Sequence, residues 1–334
     1  MANGNASFRG LSALSGYSTS KVYGISGDGR VAVGSSYTDS DTAQACIWTA
    51  QNVIGLGTLQ DYPYGEAYAA SKDGSVVGGT CNFHDIYLAF RWNATDGIQK
   101  VPSLNPNFTA NTIQGVSADG TVLVGIGGGG YAPQACRWTA PDKLKEMGFL
   151  TSVKSSAALG LSAVQSLIVG QSANDKGMSQ PVIWPGTGGI ITLPLLAGSI
   201  GGVAFGVSGD GTVCVGSSSI TNNTYQATLW NAKGAVSLGN LPGGQQACAA
   251  YAASFDGSII VGFTTTNNGE EAFIWDNQNG MRNLRDVLIS YGLGNQLQGW
   301  QLHRASAISY TGSAIAGYGA NPNGLTTAFL ATLP

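Results

Sequence analysis

The chain has 334 residues, of which 10% are charged, and its net charge is -3 at neutral pH. Charged residues make up about 25% of an ordinary globular protein, so Ser, Thr, Asn, Gln and Gly must form most of this surface. No run of Lys or Arg occurs, which argues against nucleic acid as a partner. No apolar run approaches the length of about 18 residues that a membrane span needs, so we expect no membrane insertion.

The chain opens with MANGNASFRG, which lacks both the basic start and the apolar core of a signal peptide. We therefore expect an exported form of this protein to be a trimmed fragment or to use another route, and the sequence leaves an intracellular location open. Residues 8–14, FRGLSAL, form a short β-type run before the first repeat.

A nine-residue string, S-x-D-G followed by four residues and a Gly, then recurs along the chain. Asp-Gly between two short apolar runs is typical of a tight β-hairpin turn. The fourth and seventh copies lack the Asp-Gly pair but keep the final Gly, and the spacing is 45 or 46 residues except for a last step of 55. The seven copies begin at Ser26, Ser71, Ser117, Ser162, Ser208, Ser254 and Ser309.

Two further landmarks complete each unit. An A-x-x-W motif follows the hairpin in most copies, and six units then carry an apolar segment ending in Leu. Four short β-type runs in about 45 residues are typical of a propeller blade. Gly or Ala two residues before each Ser indicates that the first run is innermost, and the Leu-rich run is then outermost. The Trp is predicted to fill the wedge between neighbouring blades.

The two ends of the chain complement each other, because the last unit stops at ATLP without a fourth run and residues 8–14 supply one. The sequence therefore predicts an all-β fold: a single seven-bladed β-propeller of four-stranded antiparallel blades over residues 1–334, closed by the N-terminal strand completing the last blade. Residues 289–304 are an insertion, and LRDVLISYGL is predicted to form a short helix. The expected blades are 22–60, 66–104, 112–150, 157–196, 203–241, 249–288 and 305–334.

The units resemble the bacterial extracellular HAF repeat family. The resemblance rests on A-F-x-W at 89–92 and 272–275, LGNLPGG from 238 and the S-x-D-G strings, and the tail 297–334 is especially similar to the C-terminal unit of those proteins. Similar arrays also resemble passenger regions of some autotransporters. The resemblance implies an exported bacterial propeller, at the cell surface or secreted, and brings no catalytic residues. The fourth and seventh copies depart from the pattern.

Function is expected where the repeats differ. The loops that join second to third strands, and fourth strands to the next first strand, share one face of the propeller, which we call the variable face; the Asp-Gly turns lie on the opposite, turn face. Aromatic side chains and carboxylates on irregular loops over a rigid scaffold suit a binding surface, although irregular loops also contain them without function. The candidate ligand-binding residues are Tyr37, Tyr62, Tyr64, Phe83, His84, Asp85, Tyr131, Tyr225 and Trp300.

These residues predict a non-enzymatic binding or adhesion module, a monomeric domain that binds a glycan or a protein on the variable face or at the tunnel mouth. One alternative is a hydrolase or lyase that acts on polysaccharide through loop carboxylates. Another is a structural spacer. Only His84 and His303 are available for a catalytic triad, and no three-His zinc site can form.

No catalytic residue, metal or cofactor is predicted. The Asp of each repeat turn is interpreted as a turn residue rather than a cation ligand, because two copies carry Val164 and Thr311 instead. The five cysteines are an odd count with no zinc spacing. Cys46 and Cys136 occupy a repeat position that other copies fill with residues such as Phe90, so we interpret them as buried thiols.

Overall fold

Seven four-stranded antiparallel sheets form the chain, one for each predicted blade. The computed structural model describes residues 6–40, 42–104, 110–128, 132–139, 143–165, 167–221, 224–244 and 247–334. In six sheets the strands pair in chain order, from an inner first strand to an outer fourth strand, and the seventh sheet recruits its outer strand from the N-terminus. The predicted seven-bladed β-propeller is confirmed.

The strand bounds of the first four blades follow the repeat. Blade one consists of β2 (Thr19–Ile25), β3 (Ala32–Tyr37), β4 (Ala43–Trp48) and β5 (Val53–Gly55). Blade two consists of β6 (Tyr64–Ala70), β7 (Val76–Phe83), β8 (Ile86–Asn93) and β9 (Gly97–Lys100). Blade three consists of β10 (Thr112–Val116), β11 (Val122–Gly128), β12 (Pro133–Thr139) and β13 (Lys143–Glu146). Blade four consists of β14 (Ser156–Leu161), β15 (Leu167–Ala173), β16 (Ser179–Pro185) and β17 (Ile191–Thr192).

The remaining blades include the seam. Blade five consists of β18 (Gly201–Val207), β19 (Cys214–Thr221), β20 (Thr224–Asn231) and β21 (Gly234–Ser237). Blade six consists of β22 (Cys248–Ala253), β23 (Ile259–Thr266), β24 (Gly269–Asp276) and β25 (Gly280–Asn283). The predicted helix follows as α1 (Leu284–Leu288) and a π-helical turn (Ile289–Leu293). Blade seven consists of β26 (Gln301–Ile308), β27 (Ala314–Ala320), β28 (Thr326–Thr332) and β1 (Ser7–Leu11).

The N-terminal strand closes the ring as predicted. β1 pairs antiparallel with β28 along its whole length, from Ser7 opposite Thr332 to Leu11 opposite Ala328. Phe8 packs edge-on against Trp300 with ring centroids 5.1 Å apart, so the insertion covers the closing strand. This pairing covers the edge of β28 and gives blade seven the four strands of the other blades.

Every inner strand carries a β-bulge three residues before the repeat Ser, and β26 carries a second one nearer its start. The position of the shared bulge accounts for the Gly that all seven repeats have in the second strand. In each blade, the residue five positions before the repeat Ser lies on the inner strand beside this bulge. Its main-chain carbonyl oxygen lies directly against the Gly of the second strand. A Cβ on Gly216, for example, would fall inside 3.0 Å of the Val203 carbonyl oxygen, and the other six Gly residues are equally close to the corresponding oxygen. Only Gly fits this approach.

The repeat Trp residues fill the spaces between blades, as predicted. Seven hydrophobic clusters form, and each joins two neighbouring blades. Four buried indoles also donate a hydrogen bond to a main-chain oxygen just beyond the preceding blade's outer strand. The pairs are Trp48 with Ser12, Trp138 with Pro102, Trp184 with Met147 and Trp230 with Pro194, at 2.6–2.8 Å.

The outer strands are shorter than predicted and end before the Leu landmark. β17 has only two residues and β5 only three. Gly and Pro follow within a few residues, as at Gly57 and Pro194, and these residues end the pairing with the third strand. The landmark Leu residues lie beyond the strand ends, where Leu241 is buried and Leu59 packs against the cluster between blades one and two.

The Asp residues of the repeat are turn residues. Ser26 Oγ donates to Asp28 Oδ1 at 2.6 Å, and the Arg30 main-chain N–H donates to the same oxygen at 3.0 Å. The other four Asp-Gly turns repeat this pattern. Donation from the Ser75 main chain and its neighbours lowers the pKa of Asp73 to about 2. In the seventh copy the Thr311 hydroxyl takes the place of the carboxylate.

A chain of main-chain hydrogen bonds links these turns around the axis. Six of the seven blade junctions in the described residues have such a bond, including Asp28 N–H to the Lys72 oxygen at 2.8 Å. Tyr310 N–H to the Gly27 oxygen, at 2.9 Å, joins blade seven to blade one. The turn face is therefore held together by backbone contacts and leaves little freedom for the inner strands to move.

All five cysteines are free and buried, which confirms the interpretation of Cys46 and Cys136 as buried thiols. Burial raises the pKa of Cys46 and Cys136 to about 12, so both remain protonated at neutral pH. Across the described residues, no helix has the length and apolar character needed to cross a membrane.

Candidate functional site

The seven inner strands enclose an axial tunnel with a cavity of about 440 Å³. This volume lies within the range of about 300–1,000 Å³ that is usual for small-molecule sites. The bulged residue of each inner strand, three positions before the repeat Ser, lines the cavity. A bulge re-aims its side chain, and here it places in the tunnel Tyr23, Tyr68, Gln114, Leu159, Phe205, Tyr251 and Ser306.

A tyrosine cluster surrounds Glu66 where blades one and two meet. Glu66 accepts hydrogen bonds from Tyr37 at 2.5 Å and from Tyr68, and the Tyr23 hydroxyl lies 2.6 Å from the Tyr37 hydroxyl. The rings of Tyr23 and Tyr68 pack with centroids 5.4 Å apart. Because inner strands begin at the variable face, the cluster lies at that end of the tunnel, which we call the tunnel mouth.

An ion pair lies in the tunnel mouth beside blade seven. Arg304 forms a two-bond fork with Glu270, with Nε donating to Oε2 at 2.7 Å and Nη2 donating to Oε1. The guanidinium also donates to the Tyr251 hydroxyl at 3.1 Å and lies 4.3 Å from the centroid of the Phe263 ring. These contacts fix Arg304 and Glu270 in one geometry, since a planar fork matches a carboxylate in both bonds.

Lys21 lies at the rim of the tunnel mouth between blades one and seven. Its ammonium is 5.2 Å from the centroid of the Tyr37 ring and 5.6 Å from that of the Tyr318 ring. It also borders a shallow depression of the variable face that includes Asp39 and Thr326. The rim therefore carries one cation held over two aromatic rings.

The electrostatics of the tunnel mouth keep its phenols neutral. Burial is the main reason that the pKa of Tyr68 lies far above its usual value, and the negative charge of Glu66 raises it further. Burial also raises the pKa of Tyr251 to about 12, although the charge of Arg304 opposes the shift. Hydrogen bonds from Arg304 lower the pKa of Glu270. The tyrosines therefore act as hydrogen-bond donors and ring surfaces at neutral pH.

Two aromatic side chains pack on the turn face. The rings of Phe255 and Tyr310 contact each other at 5.7 Å in an edge-on arrangement. Each ring covers a Gly of the neighbouring turn, because a Cβ on Gly209 would overlap Phe255 and one on Gly27 would overlap Tyr310. Tyr310 also lines the cavity, so the cavity extends to the turn-face end of the inner strands.

The structure brings together some of the candidate residues predicted from the sequence. Tyr37 belongs to the tyrosine cluster at the tunnel mouth. Tyr64, Phe83, His84 and Asp85 lie together at the variable-face end of blade two, where Phe83 contacts both Tyr64 and His84.

The remaining candidates lie apart from both groups. Tyr62 packs against the hydrophobic cluster between blades one and two, and Tyr225 is exposed near the start of β20. Trp300 packs on the closing strand, where a Cβ on Gly10 would overlap its ring. Tyr131 lies outside the described residues.

Sequence reasoning missed most of the tunnel mouth. Lys21, Glu66 and Arg304 all stand five residues before the repeat Ser, where other copies have Thr, Ala or Val. Charged residues at this aligned position of three copies were a signal that comparison of the repeats could have found. The contact with Glu270 could not be anticipated, because it joins two blades.

No protein-family model matches the chain, and no curated protein matches it. Solved β-propeller structures are similar in fold. An oligogalacturonate lyase from Vibrio parahaemolyticus is 11% identical, with 99% of this chain and 97% of that chain covered at a TM-score of 0.59. A virginiamycin B lyase from Staphylococcus aureus is 11% identical, with 99% and 100% covered at 0.59. The propeller domain of a Trilobed protease from Pyrococcus furiosus is 10% identical, with 94% and 95% covered at 0.59.

Identity this low shows the fold alone, so the fold places the chain among β-propellers without assigning an activity. Among the described residues, no three His, Cys, Asp or Glu side chains are grouped so as to hold a metal ion. The tunnel mouth therefore presents half-buried aromatic rings beside polar groups that are fixed by hydrogen bonds.

Proposed function

We propose that this chain is a non-enzymatic binding module of an exported bacterial surface or secreted protein, and that it binds a glycan at the tunnel mouth. The observation that carries the proposal is the arc of half-buried rings around the cavity, with Tyr23, Tyr68 and Tyr251 turned inward by their bulges. Aromatic rings contact the apolar faces of sugar rings, and here the hydroxyl edges of the three rings are held by Tyr37, Glu66 and Arg304.

The state of the acidic groups favours binding over catalysis. Glu66 accepts bonds from tyrosine hydroxyls, and Glu270 is paired with Arg304 on both oxygens. A general acid or base must reach the proton that it transfers, and these carboxylates are occupied by protein donors. The enzymatic alternative predicted from loop carboxylates therefore gains no support from the tunnel mouth.

The rigidity of the site also suits binding. Main-chain bonds between the turns and a packed cluster at every blade junction fix the inner strands that carry the rings. A site that is already in its binding geometry loses less conformational entropy when a ligand binds. Resemblance to the HAF repeat family supports export and a surface location for this module.

A glycan array tests the proposal with three variants. Ser306→Trp fills the tunnel without removing a ring, and Tyr251→Ala removes one ring; Tyr291→Ala is the matched control, because Tyr291 is exposed on the insertion and distant from the tunnel. We expect the wild type and the control to bind the same glycans and both tunnel variants to lose them. Unchanged glycan binding by the folded Ser306→Trp variant, or a wild type that binds no glycan, contradicts the proposal.

A further inference from the structure

Lys21 differs from Arg304 and Glu270, which form an ion pair with each other at the tunnel mouth. No carboxylate of the described residues lies within ion-pair distance of its ammonium. Asp39, which borders the same depression as Lys21, accepts a hydrogen bond from Ser18. Arg304, in contrast, is paired on both sides of its fork by Glu270. An ammonium has three N–H donors, and those of Lys21 remain available to a ligand.

Tyr318 provides a second donor beside Lys21. Its ring lines the cavity and lies 5.6 Å from the Lys21 ammonium, and the phenol is half-buried. Among the described residues, no group forms a hydrogen bond with the Tyr318 hydroxyl, and burial raises its pKa, so the proton stays in place. Two adjacent donors, one of them cationic, form a site for an anion.

The bonding of the neighbouring charged groups favours a negative ligand group at this point. Arg304 and Glu270 are paired with each other, and tyrosine hydroxyls donate hydrogen bonds to Glu66. Among the described residues, no acceptor bonds the ammonium of Lys21, which lies over the Tyr37 and Tyr318 rings. A bound neutral sugar would remove water from this ammonium without offering it a negative partner. Desolvating an unpaired charge costs free energy.

We propose that Lys21 and Tyr318 bind the carboxylate of an acidic sugar, so that the glycan recognised at the tunnel mouth carries a uronate residue. The inference rests on the proposed function, since the aromatic arc must first hold a sugar ring. The carboxylate of a uronate projects from the edge of that ring, so a ring lying against Tyr23 or Tyr251 leaves it free to reach the rim. Because the inner strands surround the cavity, the uronate enters as a free sugar or at the end of a chain or branch.

Matched trisaccharides provide the test. Three neutral trisaccharides, built from glucose, galactose and mannose, are each compared with the form in which every C6 alcohol is oxidised to a carboxylate. Isothermal titration calorimetry measures binding to the wild type, Lys21→Met, Lys21→Arg and Lys72→Met. Lys72→Met is the control, because Lys72 is exposed on the turn face at the far end of the propeller.

We expect at least one acidic trisaccharide to bind the wild type at least about tenfold more tightly than its neutral partner, as a charged hydrogen bond provides. Lys21→Met should remove this preference, while Lys21→Arg and Lys72→Met should keep it. Tyr318→Phe should reduce the preference without changing affinity for the neutral form.

If the wild type binds the neutral and acidic trisaccharides equally and Ser306→Trp binds neither, the uronate inference is overturned and the proposed function stands. Binding of no trisaccharide by the folded wild type overturns both. A preference for the acidic form that survives in Lys21→Met also overturns the inference, since the charge would then be recognised elsewhere.

Discussion

The Gly of the second strand provides a sharp test of the blade geometry, and Gly216→Ala is the variant of choice because blade five carries none of the charged residues of the tunnel mouth. The new Cβ would fall about 1 Å inside the 3.0 Å that real Cβ atoms keep from their neighbours. The atom that it meets is the Val203 main-chain oxygen, which cannot rotate away. Overpacking costs about 1–3 kcal/mol when neighbours can adjust, so we expect a loss of about 3 kcal/mol here.

Calorimetric melting measures this loss. An unfolding entropy of about 2.1 cal/mol/K per residue over 334 residues gives about 0.7 kcal/mol/K, so the melting temperature should fall by about 4 °C. Gly294→Ala is the matched control, because Gly294 has ordinary helical backbone angles and its new Cβ would meet only Ile289, at 4.0 Å. An unchanged melting temperature for Gly216→Ala would refute the close approach of inner and second strands.

Three further predictions concern the wedge, the seam and the turns. Trp184→Ala should cost about 3–5 kcal/mol, whereas Trp184→Phe should cost less because it loses chiefly the bond to Met147; equal costs would contradict the wedge packing. Deletion of residues 1–14 should abolish cooperative melting, because β28 loses its partner, and an unchanged melting curve would contradict closure. The pKa of Asp73 is about 2 when folded against 3.8 ordinarily, so its contribution to stability is present above pH 4 and is lost as the pH falls towards 2. Asp73→Asn should therefore make stability less dependent on pH in that interval; an unaltered dependence would contradict the turn bonds.

Much of the fold could be predicted because each repeat landmark has a distinct physical role. Trp184 and its equivalents in the other repeats indicate a wedge-shaped space between blades that a large side chain must fill. Asp28 and its equivalents indicate a hairpin turn. Residues 8–14 were identified as the closing strand by the absence of a fourth run at the C-terminus. The limits of the outer strands were wrong, because a Leu landmark marks a packing position and Gly and Pro end the strand before it.

The candidate site was harder to predict because its residues differ among repeats that share one backbone. The bulge in β2 turns the Tyr23 side chain into the tunnel. The alternation of inward and outward side chains that is expected along a regular strand does not show which residue is bulged. Arg304 and Glu270 are 34 residues apart and on neighbouring blades, so only the packing of blade seven against blade six brings them together. Trp300 and Tyr37 were both predicted as aromatic residues of the variable loops, but they have different environments. Trp300 packs on the closing strand, whereas Tyr37 belongs to the tunnel mouth.

The most direct test of glycan binding at the tunnel mouth is a crystal structure of the protein with the tightest-binding glycan from the array. We predict density for a sugar ring in the cavity, in contact with Tyr23, Tyr68 or Tyr251 and entering from the variable face. A sugar bound only at the exposed end of blade two, beside Phe83 and His84, with an empty tunnel would contradict this account.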